Sequence, residues 1–262
     1  MSHATHQEKV SRRFSAASAD YDGAAHLQVM VAGEVLARVP AHAPAHHILD
    51  AGCGTGRLLH RIRQRWPAAH LVGLDLAPGM IAQARNRLDG DPALQLVVGD
   101  AATFQGGPFD LILSSSALHW LRPLDAGLAN LFSLLRPGGF LVAGLMTHAT
   151  LGELRTARHA IAPHKKAPGH LPTLDHIRQA LPGGRLHLLQ ETRWAERYPS
   201  ARDLLHNLHG LGVTGGDLAH AELPLTRREL TALAAYYDQH FADGKSGVTA
   251  TFSVGYMVVE HP

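Results

Sequence analysis

Short apolar runs alternate with amphipathic segments through the first 146 residues of the chain. Five runs rich in Val, Ile and Leu predict β-strands at residues 47–51, 70–75, 94–99, 109–114 and 140–146. Apolar residues at helical spacing predict helices over residues 25–39, 57–66, 78–88 and 124–135. Near-continuous apolar strands that alternate with helices are typical of a parallel sheet covered on both faces.

The pattern changes after Met146. Helices predicted over residues 151–161 and 174–181 flank a break at residues 163–172 that is rich in proline, histidine and lysine. We expect residues 148–184 to form an inserted helical lid beside the carboxyl edge of the sheet, because insertions at such an edge often cover a ligand site.

Two more strands complete a predicted set of seven. They span residues 186–194 and 248–260, and the apolar residues of the second alternate on one face. Two helices are predicted between them, near residues 201–209 and over residues 226–240. Thr226 and Glu229 predict a capping box at the start of the second helix.

One domain over residues 1–262 accounts for the whole pattern. Its predicted fold is a doubly wound α/β structure with a seven-stranded, mostly parallel sheet. Residues 1–40 are expected to form a helical segment over the ligand site. A composition of 45% hydrophobic and 18% charged residues is ordinary for a globular chain of this length.

Composition excludes several classes of protein. Cys53 is the only cysteine, so no intramolecular disulfide can form, and the start lacks the basic-then-apolar pattern of a secretory leader. No apolar run approaches the ~18 residues that a membrane span needs, so we expect a cytoplasmic protein without a membrane partner. A net charge of +2 gives no reason to expect nucleic acid. The 20 histidines are scattered, and pairs such as His206 and His209 lack the partners of a zinc motif, so no metal is expected.

A glycine-rich segment, residues 50–56 (DAGCGTG), follows the first strand and opens a helix. Gly52 and Gly54 allow a tight turn and a close approach of the backbone to a ligand. The dinucleotide fingerprint G-x-G-x-x-G would need a third glycine where the chain has Arg57. Asp50 suits a ligand with an ammonium group better than a phosphate, which prefers a helix N-terminus without a carboxylate beside it. The segment therefore favours S-adenosylmethionine, with Asp50 near its amino group.

Residues at the ends of the next strands fit the rest of the same ligand. Asp75 ends the second strand, where a carboxylate can accept hydrogen bonds from both ribose hydroxyls. Met80 begins the next helix and offers its thioether to adenine. Asp100 ends the third strand and can accept a hydrogen bond from the adenine amino group. Three neighbours complete the predicted cofactor-binding set: Leu76, Ala101 and Ser115.

These motifs resemble those of the class I S-adenosylmethionine-dependent methyltransferases over residues 48–146. Further segments lie along nearly the whole chain: residues 13–17 (RFSAA), 20–22 (DYD), 27–28 (LQ), 118–120 (LHW), 151–154 (LGEL), 171–172 (LP), 211–214 (LGVT), 225–227 (LTR) and 249–252 (TATF). Together they carry a closer resemblance, to the malonyl-acyl carrier protein O-methyltransferases of biotin synthesis. The late segments are the more diagnostic, because methyltransferases of every substrate class share the glycine loop.

The resemblance implies methyl transfer from S-adenosylmethionine to the free carboxylate of a malonyl thioester on acyl carrier protein. That carboxylate is already ionised at neutral pH, so no catalytic base is expected. The implied acceptor-site residues are Tyr21, His119, Trp120, Leu171 and His209. Tyr21 and Trp120 would wall the cavity, and His209 would hold the acceptor carboxylate. The basic stretch at residues 164–166 would offer a docking face to the acidic carrier protein.

Four positions depart from the residues that are usual in this family. His119 stands in place of glutamine, His209 of lysine or arginine, Leu171 of an aromatic residue and Val213 of alanine. The resemblance places these four positions around the acceptor, so they put the identity of the acceptor in question and leave the identity of the cofactor unchanged. Two alternatives therefore stay open, a methyltransferase of a free small carboxylic acid and a respiratory-complex assembly factor that acts on a protein. Nucleic-acid methylation is disfavoured, because no Asn-Pro-Pro-Tyr-type motif follows the fourth strand.

Overall fold

The computed structural model describes residues 3–165, 171–213 and 224–262 of the chain. The helices are α1 (His3–Ala17), α2 (Tyr21–Ala24), α3 (His26–Ala37), α4 (Arg57–Arg65), α5 (Pro78–Arg87), α6 (Leu124–Ser133), α7 (Gly152–Ile161), α8 (Leu174–Ala180), α9 (Ala201–Gly210) and α10 (Arg227–His240). The strands are β1 (His47–Ala51), β2 (His70–Asp75), β3 (Leu94–Val98), β4 (Phe109–Ser115), β5 (Leu135–Met146), β6 (Arg185–Tyr198) and β7 (Val248–Glu260). A single 3-10 turn, Leu118–Trp120, follows β4.

Local sequence explains where several helices begin. Pro78 lies in the first turn of α5, where its missing N–H has no helical acceptor to lose. The Thr173 side chain caps α8 by accepting a hydrogen bond from the backbone N–H of His176. The capping box predicted for α10 is confirmed, since Thr226 and Glu229 each accept the other's backbone N–H.

All seven strands form one sheet in the order β3-β2-β1-β4-β5-β7-β6. Pairs among β1 to β5 are parallel, and β7 is antiparallel to both β5 and β6. The strand order reverses between β1 and β4, and such a switch point leaves a crevice at the carboxyl ends of the strands. The predicted doubly wound, mostly parallel sheet of seven strands is confirmed.

Apolar layers cover both faces of the sheet. One layer joins Ile48 and Leu111 to side chains of α3 and α4. The other joins Leu49 and Ile112 to side chains of α6 and α8. Adjacent residues of β1 and β4 thus point into different layers, which explains why these strands are apolar nearly throughout.

The alternation in β7 predicted one apolar face, and the structure differs. From Phe252 to Val259 every residue is buried. Met257 and Val259 belong to the layer opposite to that of Phe252 and Tyr256. The reason is that β7 lies inside the sheet, between β5 and β6, so that helices cover both of its faces.

Two strands are longer than their apolar runs. β5 begins at Leu135, which pairs with Phe109, and β6 runs on to Tyr198, which pairs with Val248. Backbone hydrogen bonds to a neighbouring strand continue where the side chains become polar, and the apolar pattern does not record them. None of the described helices is both long enough and apolar enough to span a membrane.

Candidate functional site

A cavity lies at the switch point, at the carboxyl ends of β1, β2 and β4, and extends to the residues that follow β3. Its empty volume is about 720 Å³ including the open mouth. Eight of the nine residues predicted to bind the cofactor line it: Gly52, Gly54, Asp75, Leu76, Met80, Asp100, Ala101 and Ser115. The ninth, Asp50, is buried and is not among the lining residues.

The glycine loop adopts backbone conformations that favour glycine. Gly52 and Gly54 have φ values of +79° and +54°. A Cβ on Gly52 would lie 2.2 Å from the Cβ of Ala117, so the loop packs directly on the segment after β4. A Cβ on Gly54 would meet no protein atom within 4 Å. Because Gly54 lines the cavity, that space is available to a ligand.

Asp75 is held in place by the backbone. One carboxylate oxygen accepts the N–H of Gly54 and the other accepts the N–H of Ala77, each at 2.8 Å. Burial raises the pKa of this carboxyl, and the two N–H donors act in the opposite direction. Each oxygen keeps a second lone pair for a hydroxyl donor in the cavity.

Three polar side chains near the cavity lack partners among the described residues. Asp50 is 1% exposed, and neither of its carboxylate oxygens has a hydrogen-bond partner there. The hydroxyls of Ser115 and Ser116, which line the cavity, are likewise buried without a partner. Burial, with a smaller contribution from the charge of Asp75, raises the pKa of Asp50 well above its ordinary value. Unpaired buried polar groups are costly and are typically retained where a ligand or water pairs with them.

The buried carboxyl of Asp50 should make the stability of the fold depend on pH. A folded-state pKa above the unfolded value means that the folded chain binds the extra proton, so stability falls as pH rises above ~4. Asp50→Asn should remove this loss. We expect the ligand-free variant to melt higher than the wild type at pH 8 by about 2–12 °C, for a relief of about 1–3 kcal/mol. The difference should shrink towards pH 5.

The same variant should bind S-adenosylmethionine at least about tenfold more weakly, because a charged hydrogen bond to the ligand is lost. Thermal melting across the pH range and titration calorimetry measure the two effects. A variant that melts lower at every pH and keeps its affinity would make Asp50 a structural residue.

Helices α1 and α2 cover the mouth of the cavity, with Gln7, Val10 and Phe14 of α1 among its lining residues. No role is predicted for these three residues from the sequence alone. Phe14 makes edge-on ring contacts with Trp120 and Tyr21, with centroids 5.5 and 6.3 Å apart. Tyr21 and Trp120 thus line the cavity as predicted for the acceptor walls, while their contact with an acceptor stays a prediction.

Asp22 ties this cover to the glycine loop. Its carboxylate accepts hydrogen bonds from Thr55 Oγ1 at 2.7 Å and Arg57 Nε at 2.9 Å, and pairs with Arg87. Burial alone would raise the pKa of Asp22, but these donors and charges hold it below its ordinary value. From the sequence, Arg57 only disfavours a dinucleotide site and gives no sign of this contact. The partners are 33 to 65 positions away from Asp22, so no local pattern could identify this network.

His119 is buried next to Trp120 but lines a different, neighbouring cavity. Its Nδ1 accepts the backbone N–H of Met146 at 3.4 Å. Burial lowers the pKa of His119 to about 3, so the ring is neutral at neutral pH.

Other predicted acceptor residues lie elsewhere. Leu171 is 8% exposed and packs in the apolar core, and Val213 is half-buried against the same core. His209 is exposed on α9 and is not among the residues that line the cavity. His209 is exposed because of its position around the helix. Leu204 and Leu208 form the buried face of α9, and His209 lies about 100° around the helix axis from Leu208.

The structure describes the predicted docking face and lid in part. Lys165 Nζ donates to Glu229 at 2.7 Å and to the carbonyl of Pro224, and its side chain is 11% exposed, so it is bound within the fold. Lys166 and Thr214 lie outside the described residues. Among the described residues of the predicted lid, α7 packs on β7 and α10, and none lines the cavity under α1.

Several known proteins to which this chain is similar are methyltransferases, which agrees with a cavity suited to S-adenosylmethionine. A family model described as a methyltransferase domain matches residues 49–141. A malonyl-[acyl-carrier protein] O-methyltransferase of Serratia marcescens is 33% identical over 88% of this chain and 88% of its own length. Another, of Hahella chejuensis (strain KCTC 2396), is 30% identical over 97% of this chain and 91% of its own length. The crystal structure of a putative methyltransferase from Bacillus halodurans C-125 has a TM-score of 0.60 at 15% identity, covers 88% of this chain and 98% of its own, and shows the fold alone.

Proposed function

Because this chain belongs to the malonyl-[acyl-carrier protein] O-methyltransferase family, we propose that it methylates the free carboxylate of malonyl-acyl carrier protein with S-adenosylmethionine. The ester product would prime pimelate synthesis for biotin. The observation that carries the proposal is the whole-chain similarity to these relatives, joined to a cavity at the switch point lined by Gly54 and Asp75.

The residues present fit S-adenosylmethionine. The unpartnered carboxylate of Asp50 suits the amino group, directly or through water. The space beside Gly54 admits the ligand backbone, and Asp75 offers two oriented acceptors to the ribose. Met80 and Asp100 line the same cavity, in positions suited to adenine. When bound, the cofactor supplies a methyl group made electrophilic by a positively charged sulfur.

The chain's own residues have to orient the acceptor and exclude water. A carboxylate with a pKa near ~4 is already a nucleophile at neutral pH, so no side chain needs to take a proton. Phe14, Tyr21 and Trp120 give the cavity an aromatic wall, which favours removal of water from the attacking oxygen. Burial and the nearby carboxylates of Asp75 and Asp22 raise the pKa of Tyr21, so its hydroxyl stays protonated and can donate a hydrogen bond.

A methyl-transfer assay tests the acceptor. We expect turnover with malonyl-carrier protein, slower turnover with malonyl-coenzyme A and about 100-fold lower kcat/KM with free malonate, because remote binding energy is lost from a truncated substrate. Initial rates with labelled S-adenosylmethionine measure this order. Succinyl-carrier protein is the matched control, since it differs from the malonyl form by one methylene.

Two results would contradict the proposal. Cofactor binding without turnover on any malonyl thioester would mean that the departures at the acceptor site, such as His119, had changed the acceptor. A free dicarboxylic acid that outperforms the carrier thioester would assign the chain to small-acid methylation.

A further inference from the structure

A second cavity opens beside the first and has an empty volume of about 1050 Å³ including its mouth. Its wall is built from the segment between the 3-10 turn and α6 and from α8. The polar side chains in this wall are His119, Arg122, Asp125, His176 and Gln179. Leu124, Pro172 and Ala180 give it apolar surface between them.

One turn of backbone separates the two cavities. Leu121 lines both of them, Trp120 lines the first and His119 lines the second. The rings of His119 and Trp120 have centroids 5.3 Å apart. Leu121 is therefore the residue that a chain-like ligand in the second cavity would have to pass to reach the first.

Two of the residues that line the second cavity, His119 and Arg122, carry hydrogen-bond donors. Because Nδ1 of His119 accepts the N–H of Met146, the single proton of the neutral ring is on Nε2, which is a donor. The Arg122 guanidinium, which is half-buried, carries only donors. The carboxylate of Asp125 is exposed and accepts the N–H of Ala126 in the first turn of α6.

We propose that the second cavity holds the pantetheine arm of the acceptor thioester, with carbonyl oxygens of the arm accepting hydrogen bonds from Arg122 and His119. This inference rests on the proposed function and names a binding site for it. The arm alternates amide groups with short aliphatic stretches. The amide carbonyls suit the donors of Arg122 and His119, and the aliphatic stretches suit the apolar surface of Leu124, Pro172 and Ala180. Carrier protein and coenzyme A both present this arm, so both should use the site.

Arg122→Ala tests the site, with Arg178→Ala as the matched control. Arg178 is exposed on α8, the helix that forms one wall, but does not line the cavity. We expect Arg122→Ala to raise KM at least about tenfold for both malonyl-carrier protein and malonyl-coenzyme A, as the loss of a charged hydrogen bond predicts. KM for free malonate and the dissociation constant of S-adenosylmethionine should stay within twofold. Arg122→Lys should restore part of the loss, and an unchanged melting temperature would show that the variants fold.

Several outcomes would overturn the assignment. Equal losses in Arg122→Ala and Arg178→Ala that appear with carrier protein alone would make this face a docking surface for the protein. An equal rise of KM with free malonate would make Arg122 a ligand of the malonyl group. No change with either thioester would remove Arg122 from the acceptor site.

Binding of free coenzyme A tests the arm site separately from the proposed function, because this binding needs no turnover. Wild-type protein that turns over no malonyl thioester contradicts the proposed function. Coenzyme A that binds the wild type and Arg122→Ala equally in titration calorimetry, or binds neither, contradicts the arm site.

Discussion

Asp75→Asn is expected to weaken S-adenosylmethionine binding by about 100-fold or more. In the wild type, the N–H groups of Gly54 and Ala77 hold the two carboxylate oxygens in the cavity, 2.8 Å from each donor. Asparagine replaces one oxygen with an amide NH₂, which then faces a backbone N–H donor. The variant loses one of the two acceptors for the ribose, and the oxygen that remains is no longer charged. A hydrogen bond to a charged group contributes about 1.5–3 kcal/mol, and a neutral one is weaker by about 1 kcal/mol. The two losses together, about 2.5–4 kcal/mol, correspond to a factor of about 100 or more in the dissociation constant.

Titration calorimetry with S-adenosylmethionine measures this loss. Asp89→Asn is the matched control, because Asp89 is exposed in the turn after α5 and changes the net charge equally. The melting temperature of ligand-free Asp75→Asn should also fall, since one anchor of the glycine loop is lost. An affinity within threefold of the wild type would remove Asp75 from the cofactor site.

Alanine at two of the three glycines of the loop, Gly52 and Gly54, is expected to have different consequences. Gly52→Ala should destabilise the fold by about 3 kcal/mol or more, because its Cβ would overlap Ala117 at 2.2 Å and φ is +79°. This corresponds to a melting temperature lower by about 6–12 °C. Gly54→Ala meets no protein atom within 4 Å, so its melting temperature should fall by only about 2–4 °C, for the strain of a positive φ. Its methyl group enters the space left for the ligand, and cofactor affinity should fall at least about tenfold.

Thermal melting and calorimetry on the two variants separate a fold defect from a binding defect. Each variant serves as the control for the other, since both add one methyl group to the same loop. The interpretation fails if Gly54→Ala melts below Gly52→Ala, or if Gly54→Ala binds S-adenosylmethionine as tightly as the wild type.

The sequence by itself determined the sheet and the part of the first cavity that the ends of the strands form. Strands β1 to β4 lie within one residue of their predicted bounds, because buried parallel strands have near-continuous apolar patterns. Asp75 at the end of β2 and Asp100 just after β3 line one cavity, because the carboxyl ends of parallel strands meet at one edge. These relations depend on local spacing and on the topology of the fold class, and both can be read from a single chain.

Tertiary structure decided what covers that edge and which side chains reach it. The cover is α1 and α2, held by Asp22 through partners up to 65 positions away, and not the described part of the segment predicted as a lid. Helical phase turned His209 to the surface, and an ion pair with Glu229 bound Lys165 within the fold. Burial left His119 neutral beside a second cavity. Such outcomes depend on contacts between distant segments and on desolvation, and neither leaves a periodic signal in the order of residues.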